Sequence, residues 1–143
     1  MRALAESKVA PSGAAILLVE DDADLAEMFG LGLASAGHAV RVAGDGGTAI
    51  ESARRERFDL VLLDVQLPRI DGLTTLAALR AGRSTKDLPV AMLTNSDDQA
   101  LRARARSLGI LDWLVKSDTT PAELARRACA WTSRKEVTTC LSS

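Results

Sequence analysis

The sequence predicts an α/β fold, a doubly wound five-stranded parallel sheet with five helices, (βα)5. Two short segments, the continuously apolar Ala14-Ala-Ile-Leu-Leu-Val19 and the strongly apolar Asp59-Leu-Val-Leu-Leu63, look like strands buried on both faces. Segments with apolar residues at helical spacing alternate with such runs along the chain, and this alternation calls for parallel strands joined by helical crossovers. The runs also end abruptly in polar residues, which gathers chemistry at one edge of the sheet.

Each element follows in order. Residues 1–13 hold Pro11, Ser12 and Gly13 without amphipathic period and read as a flexible tail, and 133–143 read as a second one. Between them, 14–132 form one domain. The first strand runs into Glu20, Asp21 and Asp22. A helix over 24–36 carries Leu25, Met28, Phe29 and Leu33 and stops at Gly37. A weaker strand, His38 to Ala43, leads through Gly44-Asp-Gly-Gly47 into a helix reaching about Arg57. The third strand closes on Asp64. A loop with Pro68 precedes a helix carrying Leu73, Leu76 and Leu79 that ends at Gly82. Pro89 to Leu93 is a strand ending at Thr94, and a helix over 97–108 follows. Asp97 and Asp98 at its start and Arg102, Arg104 and Arg106 toward its end suit the helix dipole. The last strand, Ile110 to Val115, ends at Lys116. Pro121 stands where a first helical turn tolerates proline, and that helix ends near Trp131.

Composition narrows the function. A length of 143 residues suits one domain, and 47% hydrophobic with 26% charged residues are globular values. A formal net charge of −1 gives no footprint for nucleic acid, and no apolar run has the ~18–20 residues of a membrane span. Residues 1–13 have no apolar signal region. Cys129 and Cys140 lack metal-ligand spacing, and free thiols in a reducing cytoplasm are the expected state. His38 is the single histidine, so there is no histidine cluster for zinc.

Parallel strands bring Glu20, Asp21, Asp64, Thr94 and Lys116 to one sheet edge. Crowded carboxylates without a cation raise one another's pKa, and a hard divalent ion such as Mg²⁺ relieves this. Lys116 adds a fixed positive charge and Thr94 a donor hydroxyl. A carboxylate in such company can act as a nucleophile toward phosphorus, with catalysis by positioning and charge neutralisation.

Ile16-Leu-Leu-Val-Glu-Asp-Asp22, Asp64-Val-Gln-Leu-Pro-Arg-Ile-Asp-Gly72, Met92-Leu-Thr94 and Trp113-Leu-Val-Lys116 resemble response-regulator receiver domains of two-component signalling, over roughly 14–132. The resemblance implies a flavodoxin-like fold. It makes Asp64 the phosphoacceptor and gives Mg²⁺ to Glu20, Asp21, Asp64 and the backbone carbonyl of Gln66. Thr94 and Lys116 then contact the phosphoryl group, with Thr94 and Trp113 as switch residues. The implied partners are a histidine kinase or histidine phosphotransfer protein and a downstream protein target, in the cytoplasm, without direct nucleic-acid or membrane contact. A stand-alone regulatory domain rather than an enzyme is expected, with a homodimer through the 97–108 and 121–132 helices as one assembly.

Three positions depart from the family pattern. Ser117 follows Lys116 where the family usually has a proline across a cis peptide, and a cis bond before serine costs ~3 kcal/mol more. Asn95 replaces a small alanine, and Trp113 is larger than the usual tyrosine or phenylalanine. These departures leave open a receiver-like interaction module that is never phosphorylated. An aspartyl-phosphate hydrolase is a third reading, although Gln66 stands where such enzymes need a second acid. Other residues have structural readings: Asp22 or Asp24 as a helix cap, Asp71 and Gly72 as turn and cap, and His38 as a structural group. Gly44-Asp-Gly-Gly-Thr-Ala49, with Asp64 twenty residues on from Gly44, imitates a dinucleotide fingerprint but reads as loop and turn.

Overall fold

A computed structural model of the chain describes residues 13–133, so the two tails assigned above fall outside the described residues except at Gly13 and Ser133. The elements are β1 (Ala15–Val19), α1 (Ala23–Ser35), β2 (Ala39–Ala43), α2 (Gly46–Arg55), β3 (Leu60–Leu63), α3 (Gly72–Ala81), β4 (Val90–Thr94), α4 (Gln99–Leu108), β5 (Trp113–Val115) and α5 (Pro121–Thr132), with a 3₁₀ turn at Lys116–Asp118. All strand pairs are parallel, in the order β2-β1-β3-β4-β5. The chain leaves β1 toward one side for β2 and crosses to the other for β3, so strand order reverses between β1 and β3. Glu20 and Asp64 follow these two strands.

Side chains of β1, β3 and β4 alternate between two faces, and both faces are covered, so these strands are buried almost throughout. Leu17, Val19, Val61, Leu63, Val90, Met92 and Trp113 face one layer with Ala49, Leu76 and Ala105 of α2, α3 and α4. Ile16, Leu18, Leu60, Leu62, Leu93 and Leu114 face the other with Phe29, Leu33, Leu124 and Ala128 of α1 and α5. This is the physical origin of the continuous apolar runs.

Local signals set the boundaries. Asp22 caps α1 by accepting from the N–H groups of Asp24 and Leu25, while Asp45, Asp71, Asp98 and Thr120 cap α2, α3, α4 and α5. Each cap satisfies an N–H group that the first helical turn leaves unbonded. The glycine-rich stretch is structural: Asp45 Oδ1 accepts from Thr48 N–H at 2.8 Å, and a Cβ on Gly46 would collide with Thr75 Oγ1. The start of α2 is therefore a tight approach to α3.

Two expectations change. β5 is shorter than residues 110–115, because Gly109 adopts φ 88° and the chain joins the ladder gradually, through Leu111 N–H to the Val90 carbonyl. Cys129 is buried on α5 and disulfide-bonded, so the free thiol expected there does not hold; Cys140 lies outside the described residues. His38 is a buried structural group, as expected, with Nδ1 accepting from Ala14 N–H at 3.0 Å.

Candidate functional site

The register explains which side chains meet. Val19 pairs with Leu63, so the next residues along, Glu20 and Asp64, stand side by side where the ladder ends. Their backbones are held by Glu20 N–H to the Ala43 carbonyl at 2.9 Å and Asp64 N–H to the Val19 carbonyl at 3.3 Å. Both carboxylates are 3% exposed, while Asp21 beside them is exposed. One carboxylate oxygen from each of Glu20, Asp21 and Asp64 lies within 4.8 Å of the other two. Three hard oxygen donors at that spacing fit a small divalent cation, Mg²⁺ in particular.

Lys116, which follows the edge strand β5, reaches across the end of β4 to this cluster. Its Nζ lies 2.6 Å from Asp64 Oδ2 and also pairs with Glu20 Oε1. Burial works to lower the Lys116 pKa, but its hydrogen bonds and charge interactions with Asp64 and Glu20 outweigh this and hold the ammonium above its ordinary value. The remaining oxygens are also engaged: Asp22 N–H donates to Glu20 Oε2 at 3.0 Å, and Gln66 N–H to Asp64 Oδ1 at 3.1 Å. The contact that joins Gln66 to the site is thus made by its N–H.

Thr94 ends β4 and is fully buried, with Oγ1 accepting from Ser96 N–H at 3.3 Å. Trp113 starts the neighbouring strand, in register with Met92, and packs on the α2–α4 face of the sheet. Its Nε1 donates to the Ser96 carbonyl at 3.0 Å, so the β4–α4 loop is held at Ser96 by both residues. The Arg102 guanidinium lies 5.9 Å from the centroid of the indole and also pairs with Asp97 at 2.6 Å. Sequence reasoning explained Arg102 by the helix dipole and missed this contact, which depends on how α4 lies against β5.

The loop after Asp64 folds back on itself. Gly72 N–H donates to the Val65 carbonyl at 2.7 Å, and a Cβ on Gly72 would collide with the Asp64 carbonyl oxygen. A glycine is required there because two backbones touch. Arg69 within the loop has φ 69°, a left-handed conformation rare outside glycine, and its guanidinium pairs with Asp45 at 2.8 Å. The Lys116–Ser117 bond is trans, since no cis peptide occurs among the described residues. Ser117 N–H instead donates to Asn95 Oδ1 at 3.1 Å. No helix among the described residues is long and apolar enough to cross a membrane.

The fold and the acidic edge agree with comparisons to known proteins. Residues 16–128 match the family model described as the response regulator receiver domain. Among curated proteins, the probable transcriptional regulatory protein TcrX of Mycobacterium tuberculosis is 39% identical over 124 residues, covering 87% of this chain and 52% of that protein. The transcriptional activator protein IrlR of Burkholderia pseudomallei is 41% identical over 101 residues, covering 71% of this chain and 43% of that protein. The chain therefore spans about half the length of the curated relatives it matches. Among solved structures, a putative response regulator from Chloroflexus aurantiacus superimposes with a TM-score of 0.77 at 35% identity, covering 85% of this chain and 99% of that one. The receiver domain of the sensor histidine kinase PA1611 from Pseudomonas aeruginosa, solved with a magnesium ion coordinated in its active-site cleft, gives 0.75 at 34% identity, covering 84% and 98%. With its (βα)5 order, its buried acids at the switch point of the sheet and a family match over most of its length, the chain belongs to the response regulator receiver domain family.

Proposed function

We propose that this chain is a phosphorelay receiver whose Asp64 accepts a phosphoryl group from a phosphohistidine donor. The observation that carries the reading is the Lys116 ammonium seated on Asp64 and Glu20 beside three carboxylates close enough to share one cation. An oxygen of Asp64 attacks phosphorus while the P–N bond of the donor breaks, and its electron pair stays on the imidazole. Lys116, already charged, neutralises one side of the transferring group, and the Thr94 hydroxyl donates to a phosphoryl oxygen. Glu20, Asp21, Asp64 and the backbone carbonyl of Gln66 would hold Mg²⁺, which supplies charge neutralisation for the phosphoryl oxygens. The magnesium in the PA1611 receiver domain supports this assignment.

The consequence of phosphorylation passes through Thr94 and Trp113. A phosphoryl group that draws the Thr94 hydroxyl competes with its bond to Ser96 N–H, and Ser96 is also held by the indole. The β4–α4 loop and the α4–β5–α5 face then shift population, in the manner of other charge-driven switches. The donor is a histidine kinase or histidine phosphotransfer protein of the cytoplasm, and the reader of the shifted face is a protein, a second copy through α4 and α5 included. Regulation of transcription, named for the longer relatives, belongs to the whole of those proteins.

Incubation of the chain with Mg²⁺ and acetyl phosphate tests the reading by intact mass. The expected result is a gain of one phosphoryl group that is absent in Asp64→Asn. No gain at saturating donor would mean an interaction module that is not phosphorylated. Repeated turnover of the donor would mean a hydrolase.

A further inference from the structure

Two of the positions at which this sequence departs from the family pattern are joined in the structure. The β4–β5 ladder ends at the pair Thr94 and Val115, and the chain then bends into the 3₁₀ turn Lys116–Asp118. Within that turn, Thr119 N–H donates to the Lys116 carbonyl at 3.2 Å and Thr119 Oγ1 to the Val115 carbonyl at 2.8 Å. These bonds close the turn on itself. The tie from the turn back to β4 is made by Ser117 N–H to Asn95 Oδ1 at 3.1 Å.

We propose that Asn95 and Ser117 are a positioning pair that holds the Lys116 backbone where its ammonium can reach Asp64 and Glu20. The bond extends the ladder by one rung, with a side-chain amide oxygen in place of a backbone carbonyl. The chemistry is reciprocal. A proline at 117 has no N–H to give, and an alanine at 95 has no acceptor to offer it. The bond therefore needs both residues, and it ties down a turn whose peptides are trans. Lys116 is buried, so the place of its main chain decides whether its tip meets both carboxylates. Neither Asn95 nor Ser117 touches the carboxylates in this role; both are exposed residues at the rim of the site.

The role rests on the phosphoacceptor reading only for its effect on rate, so the test separates the two. The full chain and its Asn95→Ala, Asn95→Asp and Ser117→Pro variants are compared without Mg²⁺ or donor, by amide exchange at Ser117 and the ¹³Cε signal of Lys116. Asn95→Ala is expected to speed Ser117 exchange and move the Lys116 signal toward that of a free lysine. Asn95→Asp, which keeps an acceptor, retains both. With Mg²⁺ and acetyl phosphate, Asn95→Ala and Ser117→Pro each slow phosphorylation about three- to ten-fold, the range of one net hydrogen bond. The double variant is no slower than the slower single one, because both single changes break the same bond. Unchanged Ser117 exchange and Lys116 signal in Asn95→Ala would overturn the proposal, as would fully additive losses in the double variant. A wild-type chain that takes no phosphoryl group while Ser117 stays protected would overturn the phosphoacceptor reading and leave the pair standing on its spectroscopic result.

Discussion

Lys116 Nζ lies 2.6 Å from Asp64 Oδ2, across a sequence separation of 52 residues, and the same ammonium pairs with Glu20. The site thus carries its own counter-cation, and that cation shares two carboxylates with the proposed metal position. Lys116→Met leaves the buried Glu20 and Asp64 carboxylates without their counter-charge, a loss of about 1–3 kcal/mol in Mg²⁺-free buffer. Because the Lys116 pKa is raised above 10.5, this contribution is complete at neutral pH and is lost only as pH rises through the folded-state value. Urea unfolding with and without Mg²⁺ measures it. The variant should gain more from Mg²⁺ than the wild type does, and equal gains would contradict the shared-carboxylate geometry.

Trp113→Phe removes the indole N–H that Ser96 accepts and keeps most of the ring. About 1 kcal/mol of stability should be lost, and amide exchange should rise over residues 96–99 more than in the rest of the chain. A uniform rise would mean that the tryptophan acts as packing alone.

Arg80, in the last turn of α3, donates to the carbonyls of Lys86, Leu88, Leu108 and Gly109. One planar guanidinium thereby joins the end of α3, the approach to β4 and the end of α4. Arg80→Lys cannot reproduce the fork and should lose about 2–3 kcal/mol despite retaining the charge. A variant unfolding at the wild-type urea concentration would show that the four bonds are worth no more than bonds to water.

Burial pushes the His38 pKa below its ordinary value of 6.5, against opposing effects from the Ala125 backbone and Asp59. The unfolded chain then takes up a proton that the folded chain resists, so stability falls as pH drops below 6.5, by at most about 1.4 kcal/mol per pH unit. His38→Asn keeps an acceptor for Ala14 N–H and does not titrate. Its stability between pH 6.5 and pH 5 should fall less steeply than that of the wild type; parallel curves would remove His38 as a source of acid sensitivity.

The strand ends were legible because an apolar run terminated by an acid carries both its burial and its chemistry in consecutive residues. Glu20, Asp21, Asp64 and Lys116 all come together as expected. Thr94 ends its strand as expected, but its visible partner is Ser96. Contacts set by register or by the lie of a helix were not legible. Asn95 and Ser117 looked like two separate departures, since nothing along the chain says that one rung places them together. Arg102 reads as a dipole complement, because a helical arginine at that place has this explanation before its tertiary neighbours are known. The last strand is shorter than its composition suggests for a similar reason: Ile110 and Leu111 have strand composition, and the positive φ of Gly109 delays their entry into the sheet.

Gly72 pressed against the Asp64 carbonyl fixes the main chain on one side of the site. The Asp64 peptide is held in front by Val19 and blocked behind by a helix start that has no spare atom's width. A charge arriving on the side chain therefore has no recoil path through its own backbone. Under the proposed phosphorylation, the places free to yield are the loop at Ser96 and the turn at Ser117, which side-chain hydrogen bonds rather than touching backbones hold.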